Sequence, residues 1–219
     1  MKRIITRYNR LEAYVYDRFI APVVVEISSN MVADMAKQIP QNASLLDVGC
    51  GGGQFAIQIS LIRNDLKVTG LDLSPQQIKR AGKRALAAGV SSVFIKGDVV
   101  SLPFDDERFD IVYSIGSIKH WPDMKAGLAQ CLRVLKPGGI LMIVEVDKDC
   151  PRVVASEFIS KLKYPFFIKK RALKFYLETV SGGSIGIGDV RKIAAALNVL
   201  KFDTAIMFEG LCWVMVAEK

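Results

Sequence analysis

The chain predicts an α/β fold, a doubly wound and mostly parallel sheet with helices on both faces and an antiparallel hairpin at its C-terminal end. Three observations predict it. Short apolar runs bounded by turn residues alternate with stretches of helical spacing across residues 43–146, the pattern of right-handed βαβ crossovers. The last two apolar runs, Leu200 to Phe208 and Cys212 to Ala217, are separated only by a short turn, and so short a connection forces an antiparallel pair. With 219 residues, 51% of them apolar, the chain can bury one substantial core, and a second independent domain is not expected.

Leu11 to Ile39 has helical spacing with a break near Pro22, and Pro40 ends it before the first strand. That strand carries Leu45-Leu46-Asp47-Val48 and is followed by a helix from Phe55 to Ile62. Lys67 to Asp72 reads as a second strand, after which Ser74-Pro75-Gln76-Gln77 opens a helix: serine caps, proline takes the first helical position, glutamine the third. Gly89 closes that helix. Strands at Val93 to Lys96, Phe109 to Ser114 and Ile140 to Val146 follow, with a helix from Met124 to Leu135 and a last helix from Asp189 to Leu197. A single domain therefore divides into an N-terminal helical cap (1–42), a core (43–146), an insertion read as a lid (147–188), and a C-terminal helix with its hairpin (189–219). The insertion ends in Ser181-Gly182-Gly183-Ser184-Ile185-Gly186-Ile187-Gly188, whose four glycines in eight residues predict a mobile hinge.

No apolar run approaches the ~20 residues of a membrane span, and Arg7, Arg10, Glu12 and Asp17 interrupt the stretch where a signal peptide would be apolar. A cytoplasmic protein is expected. Cys50, Cys131, Cys150 and Cys212 form no C-x-x-C pair, and with one histidine in the chain no zinc signature is present; the cysteines read as reduced and structural. The net charge of +8 is concentrated. Between Arg152 and Tyr176 stand seven basic residues and one acid, Glu157.

The run Asp47-Val48-Gly49-Cys50-Gly51-Gly52-Gly53 is the most informative part of the chain. Glycines alternating between a strand and a helix imply positive φ and a ligand lying against backbone. The dinucleotide pattern G-x-G-x-x-G fails at its third position, where Gln54 stands, and no lysine-bearing phosphate loop is present. Asp47 would repel a diphosphate and attract an ammonium or sulfonium. The turn therefore favours a cationic cofactor.

From these residues onward the chain resembles the class I S-adenosylmethionine-dependent methyltransferases, with Asp47-x-Gly49-x-Gly51-x-Gly53 as their first motif, and in particular the small-molecule (type 11) branch related to the quinone methyltransferases. Further matches follow in order: Asp72 at the end of the second strand, 19 residues after Gly53; Asp98 in Ile95-Lys96-Gly97-Asp98-Val99; Phe109-Asp110-Ile111-Val112-Tyr113-Ser114; and Leu132-Arg133-Val134-Leu135-Lys136-Pro137-Gly138-Gly139. The resemblance covers Ala43 to Val146 well and the remainder loosely. It implies a Rossmann-like fold with the final strand inserted antiparallel, S-adenosyl-L-methionine as cofactor, and contacts from Asp47, Gly49, Cys50, Gly51 and Gly53 to its amino-acid end. It further implies Asp72 with Leu73 at the ribose, Asp98 with Val99 at the adenine, and Ser114, Ile115 and Gly116 near the methionine part. For each acid, a turn or helix cap is the simpler alternative.

Methyl transfer from a sulfonium is an in-line displacement that depends chiefly on positioning. A base for the acceptor proton is available in His120 of Lys119-His120-Trp121-Pro122, which matches a histidine-aromatic-proline pattern of relatives and, at an unperturbed pKa near 6.5, would act at neutral pH. Relatives often have two adjacent histidines, and Lys119 replaces the first. Orientation of Trp121 is the competing role for His120. On the acceptor side the candidates are Tyr8, Tyr16, His120, Trp121, Tyr164 and Phe167, the N-terminal Tyr8 and Tyr16 as a roof whose aromatic faces favour a sulfonium through cation–π attraction or as ordinary packing residues.

The basic segment interleaves Lys163, Lys169, Lys170, Arg171 and Lys174 with Tyr164, Phe166, Phe167, Phe175 and Tyr176. The favoured reading has the lysines solvated and the aromatics lining the pocket. Peripheral contact with an anionic membrane and a lipid-like substrate comes second, and RNA last, since nothing resembles an RNA-binding module. The expected function is methyl transfer to a small or amphipathic apolar acceptor; an RNA methyltransferase and a non-catalytic cofactor-binding regulatory subunit are the alternatives. Neither the acceptor atom nor the oligomeric state is written in the sequence.

Overall fold

The computed structural model describes residues 18, 20–162 and 166–219. Seven strands form one sheet in the order β3-β2-β1-β4-β5-β7-β6, built from β1 (Ser44–Val48), β2 (Lys67–Asp72), β3 (Val93–Lys96), β4 (Phe109–Ile115), β5 (Leu135–Val146), β6 (Lys201–Met207) and β7 (Cys212–Glu218). The first five are mutually parallel. β7 lies antiparallel between β5 and β6, as the short connection required.

Seven helices accompany the sheet among the described residues: α1 (Ala21–Gln38), α2 (Gln54–Ile62), α3 (Pro75–Ala88), α4 (Met124–Val134), α5 (Arg152–Lys161), α6 (Phe166–Phe175) and α7 (Ile187–Ala195). Pro22 stands in the first turn of α1, where a missing N–H costs nothing, so the expected break is a helix start. α3 has the predicted caps: Ser74 accepts from the Gln77 N–H, and Gly89 terminates it at φ +68°. β5 begins five residues earlier than its apolar run suggests. Leu135 pairs with Phe109 before a register irregularity, and a lone aligned pair ahead of Pro137-Gly138-Gly139 gives no periodic signal.

Alternation along each strand sends side chains to opposite faces. Leu46, Val48, Val112, Leu141 and Ile143 pack with α4 and α7 on one face; Leu45, Val68, Ile111, Tyr113 and Met142 pack with α1 and α2 on the other. A third cluster, including Phe158, Ile159, Tyr176 and Leu211, lies under α5 and α6. The strand order reverses between β1 and β4. In such sheets the crevice at the carboxyl ends of the two diverging strands is where ligands lodge, and here it is lined by Asp47 to Gly53 and Ser114 to Gly116.

The glycine-rich end of the insertion is fastened. Ser181 Oγ donates to the Asp147 carbonyl at 2.8 Å, Ser184 Oγ to the Val146 carbonyl at 2.6 Å, and Trp213 Nε1 to the Ile185 carbonyl at 2.8 Å. Both serines are buried. The hinge expected there is replaced by a loop stitched to β5 and β7, in which the small residues let backbone approach backbone: a Cβ on Gly183 would press on the Thr179 carbonyl.

Candidate cofactor and acceptor site

The glycine turn leaves β1 and folds back over β2. Gly49 N and Cys50 N both donate to the Leu71 carbonyl, at 2.8 and 3.0 Å. Gly49, Gly51 and Gly53 all have positive φ, +76°, +52° and +78°, but they answer different demands. A Cβ on Gly49 would run into the Ser117 side chain, and one on Gly53 into Phe94 and Ala81 at 2.8–2.9 Å. Only the Cβ position of Gly51 faces open space, as does that of Gly116 at φ +69° across the crevice. Two of the glycines thus serve protein packing; Gly51 and Gly116 form the open cradle.

Asp72 closes the turn from the side. Its Oδ2 accepts from Gly51 N at 2.9 Å and its Oδ1 from Ser74 N at 2.8 Å, so one carboxylate joins the glycine turn to the α3 cap. Each oxygen keeps a second lone pair. Burial, opposed by these two N–H donors, leaves the carboxyl above its ordinary range. Leu73 beside it is 40% exposed. Asp98 shapes the turn after β3, accepting from Val100 N at 3.2 Å, while the Val99 side chain belongs to the core and offers only backbone to a ligand.

Asp47 is the unusual group. It is 2% exposed, it stands opposite Tyr113 in the β1–β4 register, and its Oδ2 has no hydrogen-bond partner. The Tyr113 hydroxyl lies beside it without making a hydrogen bond of proper geometry and is itself unpartnered. Burial first, and the nearby Asp72 charge, raise the Asp47 pKa to about 8. A buried carboxyl oxygen without a partner is costly, and in native proteins such a group asks for a reason. Cys50, under the turn, is pushed well up by burial and stays a neutral thiol.

The loop after β4 is organised by a residue that sequence reasoning passed over, Ser117. Its hydroxyl donates to the Val48 carbonyl at 3.1 Å, accepts from Trp121 Nε1 at 2.9 Å, and bonds Ser114 Oγ at 2.9 Å. The Ser114 side chain is thereby fully buried and spoken for, leaving its backbone, with Ile115 and Gly116, at the crevice. Trp121 requires a correction as an acceptor contact: its indole is 5% exposed, lies against Gly127, and belongs with Val99 to the core. His120 also departs from expectation. Burial, then the Lys119 charge, lower its pKa from 6.5 to about 4, Glu145 pulling weakly the other way. Lys119 Nζ meets the fully buried Glu145 at 3.0 Å, and Glu145 also accepts from Val146 N at 2.8 Å. That ion pair, too, left no sequence signal. Tyr8, Tyr16 and Tyr164 lie outside the described residues, and of Phe167 only the place on α6 is described.

A crevice at the reversal of a parallel sheet, a glycine cradle and an unpaired buried acid are now in one place. Residues 46–143 match the methyltransferase domain family. Those residues carry a methyltransferase domain. This methyltransferase domain is 38% identical over 122 residues to 27-O-demethylrifamycin SV methyltransferase of Amycolatopsis mediterranei, covering 54% of this chain and 44% of that one. It is 37% identical over 123 residues to 2-methyl-6-phytyl-1,4-hydroquinone methyltransferase of Synechocystis, covering 56% and 38%. The chain thus spans less than half the length of either relative. A solved SAM-dependent methyltransferase from Aquifex aeolicus superposes with a TM-score of 0.72 at 16% identity, over 97% of this chain and 99% of that one, so the two share a fold. No helix among the described residues is long and apolar enough to cross a membrane.

Proposed function

We propose that the methyltransferase domain acts as a cytoplasmic enzyme that methylates a small or amphipathic apolar acceptor. The observation that carries this reading is the buried, unpartnered Asp47 Oδ2 beside the open cradle of Gly51 and Gly116. It suits a cation and is wrong for a phosphate. When bound, S-adenosyl-L-methionine supplies an electrophilic methyl group on its sulfonium. Asp47, with the backbone of Gly49, Cys50, Gly51 and Gly53, takes the ammonium end. Asp72 uses its remaining lone pairs for the ribose hydroxyls, flanked by Leu73. Asp98 and the Val99 backbone hold the adenine, and Ser114, Ile115 and Gly116 border the methionine part.

His120 is neutral at pH 7 and able to take the proton of an acceptor hydroxyl, thiol or amine at the crevice mouth, though its low basicity limits what that adds. Positioning is the larger contribution. Tyr8, Tyr16, Tyr164 and Phe167 are the proposed apolar surroundings of the acceptor, with the insertion as a lid. The relatives' named substrates, a demethylrifamycin and a phytyl-hydroquinone, favour a small-molecule acceptor over RNA.

Calorimetric titration of the full chain with S-adenosyl-L-methionine tests the reading. Binding that disappears in Asp72→Ala is expected; no binding by folded protein, or unchanged binding in the variant, would overturn it. Incubation with labelled cofactor and cell extract then identifies what becomes methylated.

A further inference from the structure

The helical hairpin of α5 and α6 turns one face inward and leaves a different one outward. Ala172, Leu173, Tyr176 and Leu177 pack on the cluster built by Phe158 and Ile159, the Phe158 and Tyr176 rings standing 5.5 Å apart. The outward positions Ile168, Arg171 and Phe175 fall at i, i+3 and i+7, on one face of the helix, with Lys170 and Lys174 alongside. All five are exposed. Phe175 is 60% exposed and Ile168 38%, while neighbouring Tyr176 is 5% exposed. The favoured sequence reading, in which these aromatics line the pocket, fails for Phe175, which faces solvent; Tyr176 is packed into the cluster under α5 and α6.

Ile168 and Phe175 put two large apolar side chains among cations on one exposed face. They are what a helix lying in a membrane interface needs: apolar groups reaching into the headgroup boundary and cations meeting anionic lipid. We infer that the outer face of α6 docks on an anionic lipid bilayer. Charge complementarity commits the occupant. Arg152, Lys161, Lys169, Lys170, Arg171 and Lys174 are opposed across residues 152–178 only by Glu157 and Glu178, the latter 3.9 Å from Lys174. Lys169 Nζ donates to the Ser160 carbonyl at 2.7 Å, a hydrogen bond that joins α6 to α5 beside the outer face. The long aliphatic stems of Lys170, Arg171 and Lys174 extend the apolar patch around Ile168 and Phe175. The inference is independent of the proposed methyl transfer.

Sedimentation with vesicles of phosphatidylcholine, with and without 30% (roughly) phosphatidylglycerol, tests it. The full chain should pellet with the anionic vesicles only, and less as salt is raised. The triple variant Lys170→Gln, Arg171→Gln, Lys174→Gln should lose on the order of 100-fold in partitioning, and Ile168→Ser with Phe175→Ser should weaken binding about tenfold or more. All substituted side chains are exposed, so melting curves should match the parent. Absence of binding to anionic vesicles, binding untouched by the triple variant, or binding indifferent to the double serine variant would each overturn the inference. Lysine-dependent binding to a structured RNA without vesicle binding would assign the face to RNA instead.

Discussion

The Ser117 hydroxyl occupies the space that a Cβ on Gly49 would need, and from that position it ties β1 to the loop after β4 through Val48 and Trp121. Gly49→Ala meets both this contact and a left-handed backbone at φ +76°, and should cost about 2–5 kcal/mol of stability. The loss should be smaller in a Ser117→Gly background, a coupling that a double-mutant cycle of denaturant melts measures. Ser117→Ala alone leaves a buried carbonyl and an indole N–H without partners and should cost about 2 kcal/mol.

Gly51→Ala should behave in the opposite sense. Its Cβ meets nothing in the protein, so the fold pays only the backbone term of about 1–2 kcal/mol, while the new methyl group stands in the cradle. Calorimetry should show cofactor affinity falling by on the order of 100-fold or more with thermal stability nearly kept. Retained affinity would show that the cradle lies elsewhere.

Asp47 makes the ligand-free fold sensitive to alkali. With a folded pKa of about 8 against about 4 in the unfolded chain, folding takes up a proton between these values, so this group's contribution falls as pH rises from 4 to 8. Asp47→Asn should stabilise the ligand-free protein at pH 8, by about 2 kcal/mol, flatten the decline above pH 6.5, and lose cofactor binding. Binding a cation beside the acid should release protons at pH 7, which titrations in buffers of different ionisation enthalpy will detect.

His120 is the sole histidine of the chain, so its ring resonances can be followed unambiguously by NMR. They should titrate near pH 4 rather than 6.5. The sign for stability is the reverse of Asp47: the unfolded chain binds more protons between pH 4 and 6.5, so His120 costs stability as pH falls through that window. The pH–rate profile should accordingly lack a step near 6.5.

Breaking the Lys119–Glu145 pair from one side strands a buried charge. Lys119→Met should cost about 3–5 kcal/mol, and Lys119→Met with Glu145→Leu much less; equal losses in the two variants, read from melting midpoints, would refute the pairing. Lys119→Gln should in addition move the His120 midpoint upward, since the neighbouring cation is gone.

The residues of the candidate site stand out in the sequence because their signals are local. Asp47, Asp72 and Asp98 each follow an apolar run, and the glycines and the Ser74-Pro75 cap are backbone demands that residue type declares directly. Ser117, the Lys119–Glu145 pair and the fastened loop after Ser181 were not legible, because each is a contact between segments distant in the chain, with no periodicity to betray it. His120 shows the same limit: its residue type suggested a base for neutral pH, and burial with a lysine alongside changed that.

The sequence by itself determined the alternation of strands and helices, the antiparallel end and the acids at the strand ends. Those follow from steric and electrostatic rules that act within a few residues. Only the tertiary structure decided that Gly51 and Gly116 open toward free space while Gly49 and Gly53 open toward protein, and that Tyr176 faces in while Phe175 faces out. These are matters of which atoms occupy the space beside a residue, and that space is filled by other parts of the chain.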